Sequence, residues 1–140
     1  MAFAETLGEK AGVVAYRFVK GDEPHVLLIT SRKYKGSWVF PVGTVKRGES
    51  LEAVAKRECA EEAGYCVDLG VKLPTVEASD GETKIEFTFF LATVVGDAAQ
   101  WETDRKRDWL PASEVADALP TVFRPVALEA VQRLMHMSSD

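Results

Sequence analysis

The sequence predicts a mixed α/β (α+β) fold in which one main helix packs on a mixed β-sheet. Two observations carry this. Apolar runs rich in β-branched and aromatic residues lie on both sides of a single strongly helical stretch. Their order is strands, one helix, more strands, then helices, which suits a layered fold. The 140 residues are enough for one domain with a real core, and 46% hydrophobic with 28% charged content is ordinary for a globular protein. No internal repeat, low-complexity tract or linker divides the chain, so residues 1–140 are expected to form a single domain.

The elements follow in order. Ala11 to Val19 reads as a strand, and Lys20 to Pro24 as a turn by its Gly, Asp and Pro. His25 to Thr30 (HVLLIT) is a continuous apolar run that suggests a strand buried on both faces. His25, at its start, has a surface or capping role. Ser31 to Gly36 is a basic loop, and Ser37 to Phe40 a short aromatic strand that Pro41 ends. Val42 to Gly48 is read as a turn into the main helix. Ser50 is a suitable N-cap, with Glu49 and Glu52 near the positive helix end. Leu51, Val54, Ala55 and Cys59 form an apolar stripe, and Gly64 is a natural residue to end the helix.

Tyr65 to Val76 reads as a strand interrupted at Pro74, and Ser79 to Gly81 as a turn. Lys84 to Val95 is the strongest strand signal, followed by a polar loop from Gly96 to Asp108 and a short strand at Trp109 and Leu110. Ser113 is expected to cap a short helix through Leu119. Val122 to Met137 is expected to be a helix whose apolar residues are Val126, Leu128, Ala130, Val131 and Leu134.

Composition excludes several classes. No apolar run approaches the ~20 residues that span a bilayer, and MAFAETLGEK does not read as a secretory signal. Cys59 and Cys66 are too few for a disulfide framework and match no metal motif, so both are expected to be buried or half-buried thiols in a reducing, cytoplasmic setting. A net charge of −5 argues against general nucleic-acid binding but allows a small polyanion held locally. Bases cluster at Arg32, Lys33 and Lys35, and again at Arg105, Lys106 and Arg107.

The chemistry concentrates between Gly43 and Tyr65. Glu58, Glu61 and Glu62 share one helical face by their spacing and repel one another. Alone they read as a solvated acidic face. A bound hard cation, Mg²⁺ or Mn²⁺, would offset the repulsion, and Glu58 and Glu62, one turn apart, can grip one ion. The full spacing is Gly43, five residues, Glu49, seven residues, Arg57-Glu58-Cys59, one residue, Glu61-Glu62, one residue, Gly64-Tyr65.

This spacing resembles the Nudix box at every charged and glycine position. The resemblance implies an α/β/α sandwich with a mixed sheet and hydrolysis of a diphosphate linked to another group. It implies Glu58 and Glu62 as metal ligands, joined by the backbone carbonyl of Val42. Glu61 is implied as the base or as a further ligand. Glu49 and Arg57 are expected to pair and brace the loop against the helix. A further acid for the metal would be Glu86, Glu102 or Asp104. Outside the box, Ser31-Arg32, Trp38 to Pro41, Trp101 to Leu110 and Arg124-Pro125-Val126 resemble the diphosphoinositol polyphosphate phosphohydrolases. Carried over by position, this nominates Ser31, Lys10, Arg32, Arg105 and Arg124 for substrate phosphates, with Lys33, Lys35, Lys84 and Arg107 behind them. The substrate implied is a diphosphoinositol or dinucleoside polyphosphate. Alternatives are a housecleaning hydrolase of nucleoside triphosphates, nucleotide sugars or ADP-ribose, marked by an aromatic base clamp, and a catalytically silent binding module, which would lack box acids.

Overall fold

The computed structural model describes residues 6–80 and 83–137. Its architecture follows from side-chain alternation along the central strands. Strand β1 (Thr6–Arg17) runs parallel to β7 (Thr83–Asp97), from Thr6 opposite Thr83 to Ala15 opposite Ala92. Along β1, Ala11, Val13 and Ala15 enter one buried cluster while Val14 enters another. In β7, Phe87, Phe89 and Leu91 face the second cluster, and Phe90 and Ala92 the first. Strand β2 (His25–Thr30) divides in the same way, Leu27 and Ile29 against Val26 and Leu28. Successive strand residues point to opposite faces, so these continuous apolar runs serve two cores at once.

The remaining strands are β3 (Trp38–Val39), β4 (Val42–Thr44), β5 (Tyr65–Lys72), β6 (Val76–Asp80) and β8 (Arg107–Pro111). The sheet order is β3-β2-β1-β7-β5, with β4 on β1, β6 on β7 and β8 on β2. All pairings except β1 with β7 are antiparallel, which makes the sheet mixed. Helix α1 (Leu51–Ala63) covers one face through Val54, Ala55, Cys59 and Ala63. Helix α2 (Ala112–Ala118), a 3₁₀ turn at Thr121–Phe123 and helix α3 (Arg124–His136) cover the other through Val115, Phe123, Val126, Ala130 and Leu134. The result is the expected α/β/α sandwich.

The cap assignments of α1 hold. Ser50 Oγ accepts the Ala53 N–H at 3.1 Å, and Gly64 adopts φ 77°, the left-handed region that favours glycine. Several local expectations are corrected. Val42–Thr44 is a strand paired with Lys10–Gly12, where a turn was expected, because the chain must run along β1 before it enters α1. Strand β1 begins five residues before the predicted start at Ala11. Ser113 does not cap α2: its N–H and hydroxyl both bond the Glu23 carboxylate, at 2.6 and 3.0 Å, and Pro111 occupies the cap position. Leu128 is 62% exposed, on the outer side of α3. Cys59 is buried and free, whereas Cys66 is exposed on edge strand β5, so the second thiol is not even half-buried. The predicted turn at Ser79–Gly81 falls partly outside the described residues at Gly81, and Ser79 and Asp80 extend β6. The N-terminal residues read for a signal lie outside the described residues as far as Glu5.

Candidate active site

Pairing of β4 with β1 sets the loop after Pro41 against α1, and Gly43 makes the approach possible. A Cβ on Gly43 would overlap the Glu58 side chain, so only glycine lets that carboxylate lie against the strand. One turn later Glu62 is 8% exposed, and its Oε1 accepts the Val42 N–H at 2.8 Å. Its Oε2 meets Arg105 Nη2 at 3.2 Å. Glu61, on the next column of the helix, keeps 54% of its side chain exposed. The three glutamates are thus unequal: two turn inward and one outward. Among the described residues, no group of three or more His, Cys, Asp or Glu side chains converges in the manner of a closed metal site.

Charge balance around the pair is incomplete. Burial pushes the Glu62 carboxyl up to about 7, with the neighbouring Glu58 and Glu102 charges adding to it and the Val42 N–H and Arg105 opposing. Glu58 is raised as well, first by burial and then by the Glu61 charge. Arg57 sits between the acids. Its Nη1 pairs with Glu49, its Nη2 lies 3.7 Å from Glu58 and its Nε lies 3.9 Å from Glu61. Glu49 also accepts the Lys46 N–H at 2.9 Å, so the expected brace of loop against helix is in place. The Arg57 hydrogen bond holds the Glu49 carboxyl below its usual range.

Glu62 lines a cleft of about 200 Å³. Lys10, Ser31, Arg32, Lys33, Tyr34 and Arg105 line it, over a floor that includes Phe87, Phe89 and Phe123. Lys10, Ser31, Arg32 and Arg105 are therefore brought together as the sequence suggested. Arg124 is not: it is exposed at the start of α3, outside the cleft lining. Among the further bases, Arg107 lies 4.4 Å from the rings of both Tyr65 and Trp101 and donates to the Ala63 carbonyl at 2.7 Å, which is a packing role at the end of α1. Lys84 lies 3.9 Å from Glu77.

Two cleft bases already have acidic partners. Arg105 bonds Glu102 at 2.8 Å and the Thr30 carbonyl at 2.9 Å in addition to Glu62. Arg32 Nη2 bonds both oxygens of Asp104, at 2.8 and 2.7 Å. Of the three further acids considered, Glu102 is the one whose charge acts on both Glu58 and Glu62. Its N–H bonds the Glu61 carbonyl at 2.7 Å, a contact between residues 41 positions apart that no local sequence signal announces.

The sandwich, the glycine-tight loop and the acidic helix belong to a class of enzyme, the hydrolases acting on phosphorus-containing acid anhydrides. A model of the NUDIX domain matches residues 8–134, and the chain belongs to the Nudix hydrolase family. It is 31% identical over 134 residues to diphosphoinositol polyphosphate phosphohydrolase 2 of Rattus norvegicus, covering 93% of this chain and 72% of that one. It is 30% identical to diphosphoinositol polyphosphate phosphohydrolase 3-alpha of Mus musculus, covering 93% and 79%. Among solved structures, a C. elegans Ap4A hydrolase binary complex aligns with TM-score 0.71 at 17% identity, covering 93% of this chain and 99% of that one. The E. coli ORF135 protein aligns with TM-score 0.72 at 18% identity, covering 96% of each. At these identities the two structures speak for the fold alone. Nudix hydrolases generally use divalent metal ions.

Proposed function

We propose that this protein is a metal-dependent pyrophosphohydrolase that cleaves a phosphoanhydride bond in a small polyphosphorylated substrate. The observation that carries the reading is that Glu62 lines a cleft together with Lys10, Ser31, Arg32 and Lys33, with the inward-turned Glu58 one helical turn away. The donor set fits a hard divalent ion, Mg²⁺ or Mn²⁺. Its oxygens are carboxylates, burial leaves their charge under-compensated, and the Gly43 backbone leaves Glu58 room.

In this reading Glu58 and Glu62 hold the ion with the Val42 carbonyl, while the Val42 N–H orients Glu62. Such an ion neutralises phosphate oxygens and acidifies a bound water. Glu61, outward and exposed, takes the proton of the attacking water or completes the ligand set. Arg57 and Glu49 fix the acids in place. Lys10, Ser31 and Arg32 receive the phosphates remote from the scissile bond. Arg105, enclosed by three partners, holds Glu62 and Glu102.

Phe87, Phe89 and Phe123 are only 1–7% exposed, so they back the cleft as part of the core and do not favour one of the two polyphosphate classes over the other. The second reading, a hydrolase of nucleoside triphosphates, nucleotide sugars or ADP-ribose, would use the same acids and the same cleft. The negative net charge and two free thiols support a small-molecule substrate, with no nucleic-acid or membrane partner, in a reducing cytoplasm. No described helix is long and apolar enough to cross a membrane.

A Mg²⁺-supported turnover screen, with products resolved by anion-exchange chromatography, over dinucleoside polyphosphates, diphosphoinositol phosphates, nucleotide sugars and nucleoside triphosphates tests the reading. Turnover of none of them would overturn it. Arg32→Ala is expected to raise KM for diadenosine tetraphosphate more than for ADP-ribose, and equal effects would remove Arg32 from the phosphate site.

A further inference from the structure

Two arginines reach the cleft, and both face acids from the same short segment. Glu102 pairs with Arg105 at 2.8 Å and lies 3.4 Å from Arg32, and Asp104 pairs with Arg32 at 2.7 Å. Their surroundings differ in a way that decides their roles. The Arg105 side chain is 11% exposed and bonds Glu62, Glu102 and the Thr30 carbonyl. Releasing it would strip a buried guanidinium of its partners and leave the buried Glu62 without its counter-charge, which is costly. Arg32 is 53% exposed and Asp104 69% exposed. A pair this open to water is worth little and exchanges readily.

The backbone around Asp104 is tied down independently. The Glu102 N–H bonds the Glu61 carbonyl at 2.7 Å, the Arg105 N–H bonds the Glu102 carbonyl at 3.1 Å, and the Lys106 N–H bonds Thr30 Oγ1 at 3.0 Å. The Asp104 side chain can therefore leave Arg32 without the segment unfolding. Both of its oxygens accept from the one Arg32 Nη2, and phosphate oxygens are acceptors of the same kind for a guanidinium.

We propose that Asp104 is an internal competitor for Arg32, standing where a remote substrate phosphate binds, and that the pair makes the site selective for phosphate-chain length. The inference rests on the reading above that Arg32 meets substrate phosphate. A polyphosphate chain brings several negative charges to the cleft and displaces the single carboxylate. A substrate whose only two phosphates are engaged by the ion that Glu58 and Glu62 would hold has none left for Arg32, and the Arg32–Asp104 pair stays closed. Chain length is thus read as the ability to open one exposed ion pair.

The test is Asp104→Asn, which keeps the shape and removes the charge. KM for diadenosine tetraphosphate is expected to fall by about threefold to fivefold, the scale of an exposed ion pair. KM for ADP-ribose stays within twofold. In an Arg32→Ala background the substitution has no effect. A KM for diadenosine tetraphosphate that is unchanged or raised, or a gain that persists without Arg32, overturns the proposal. Calorimetric titration of inorganic tripolyphosphate into the metal-free protein asks the same question without turnover. Asp104→Asn should tighten it by a similar factor, and an unchanged affinity counts against the competitor. Absence of turnover in the wild type together with tighter tripolyphosphate binding in the variant would sink the hydrolase reading while leaving this one standing.

Discussion

Glu62 faces the strongest conflict of any single residue here: a carboxylate 8% exposed, with two acids and one guanidinium as its charged neighbours. Replacing it by glutamine keeps the shape and the acceptor for the Val42 N–H but removes the charge. We expect Glu62→Gln to lower Mg²⁺-dependent kcat/KM by at least about 100-fold with an unchanged circular dichroism spectrum. A near-wild-type rate would refute its role as a metal ligand. The conflict also has a pH signature in the metal-free protein. Glu62 is raised from 4.5 to about 7 in the fold, so the folded state binds its proton more tightly than the unfolded chain. That contribution to stability is present at low pH and is lost as pH rises through the window from 4.5 to about 7. In EDTA, Tm should therefore decline more steeply across that window for the wild type than for Glu62→Gln. Parallel profiles would show that Glu62 does not carry the shift.

At the scale of the element, helix α1 is placed by its two ends. Ser50 starts it, and Gly64 ends it at φ 77°. Gly64 also lies so close to Trp101 and Arg107 that a Cβ would contact both. Gly64→Ala combines backbone strain with that crowding and should cost more than about 1 kcal/mol in urea titration. It should also reduce kcat, because Glu61 and Glu62 occupy the last turn. Unaltered stability would mean that the helix end relaxes freely. The register of α1 explains why three similar glutamates have three different exposures. Helical spacing places Glu58, Glu61 and Glu62 near one another, but the sheet lies beneath one edge of that face only. Glu58 and Glu62 turn toward β4, and Glu61 turns to solvent.

Across the whole molecule, the cleft and the core share β7. Phe89 is 1% exposed and packs edge-on against Phe40 and Phe123 and in parallel with Phe87, while also forming part of the cleft floor. Phe89→Ala should cost about 3–5 kcal/mol, a large share of the 5–15 kcal/mol typical of a domain. Chemical denaturation measures this, and a loss below about 1 kcal/mol would mean that the floor is not part of the core. These rings belong to the core, and the same rings also line the cleft. No sequence pattern separates these roles, because a cleft floor and a core wall need the same side chains.

The box spacing, the caps of α1 and the apolar runs of β1, β2 and β7 were legible because each depends on residues near one another in the chain. Those features were enough to indicate a layered α/β fold and an acidic helix after a glycine loop. Other features depended on distant segments meeting. Val42–Thr44 became a strand only because β1 offered it an edge. Arg105 is enclosed because Thr30, Glu62 and Glu102 converge on it from three parts of the chain. Arg124 dropped out of the cleft because α3 begins beyond it. The sequence determined which chemical groups are present and which face of α1 bears the acids. Tertiary structure decided which carboxylates are buried, which bases are already paired and which remain open to a ligand. Those outcomes depend on desolvation and long-range pairing, and neither exists until the sheet has closed over its two cores.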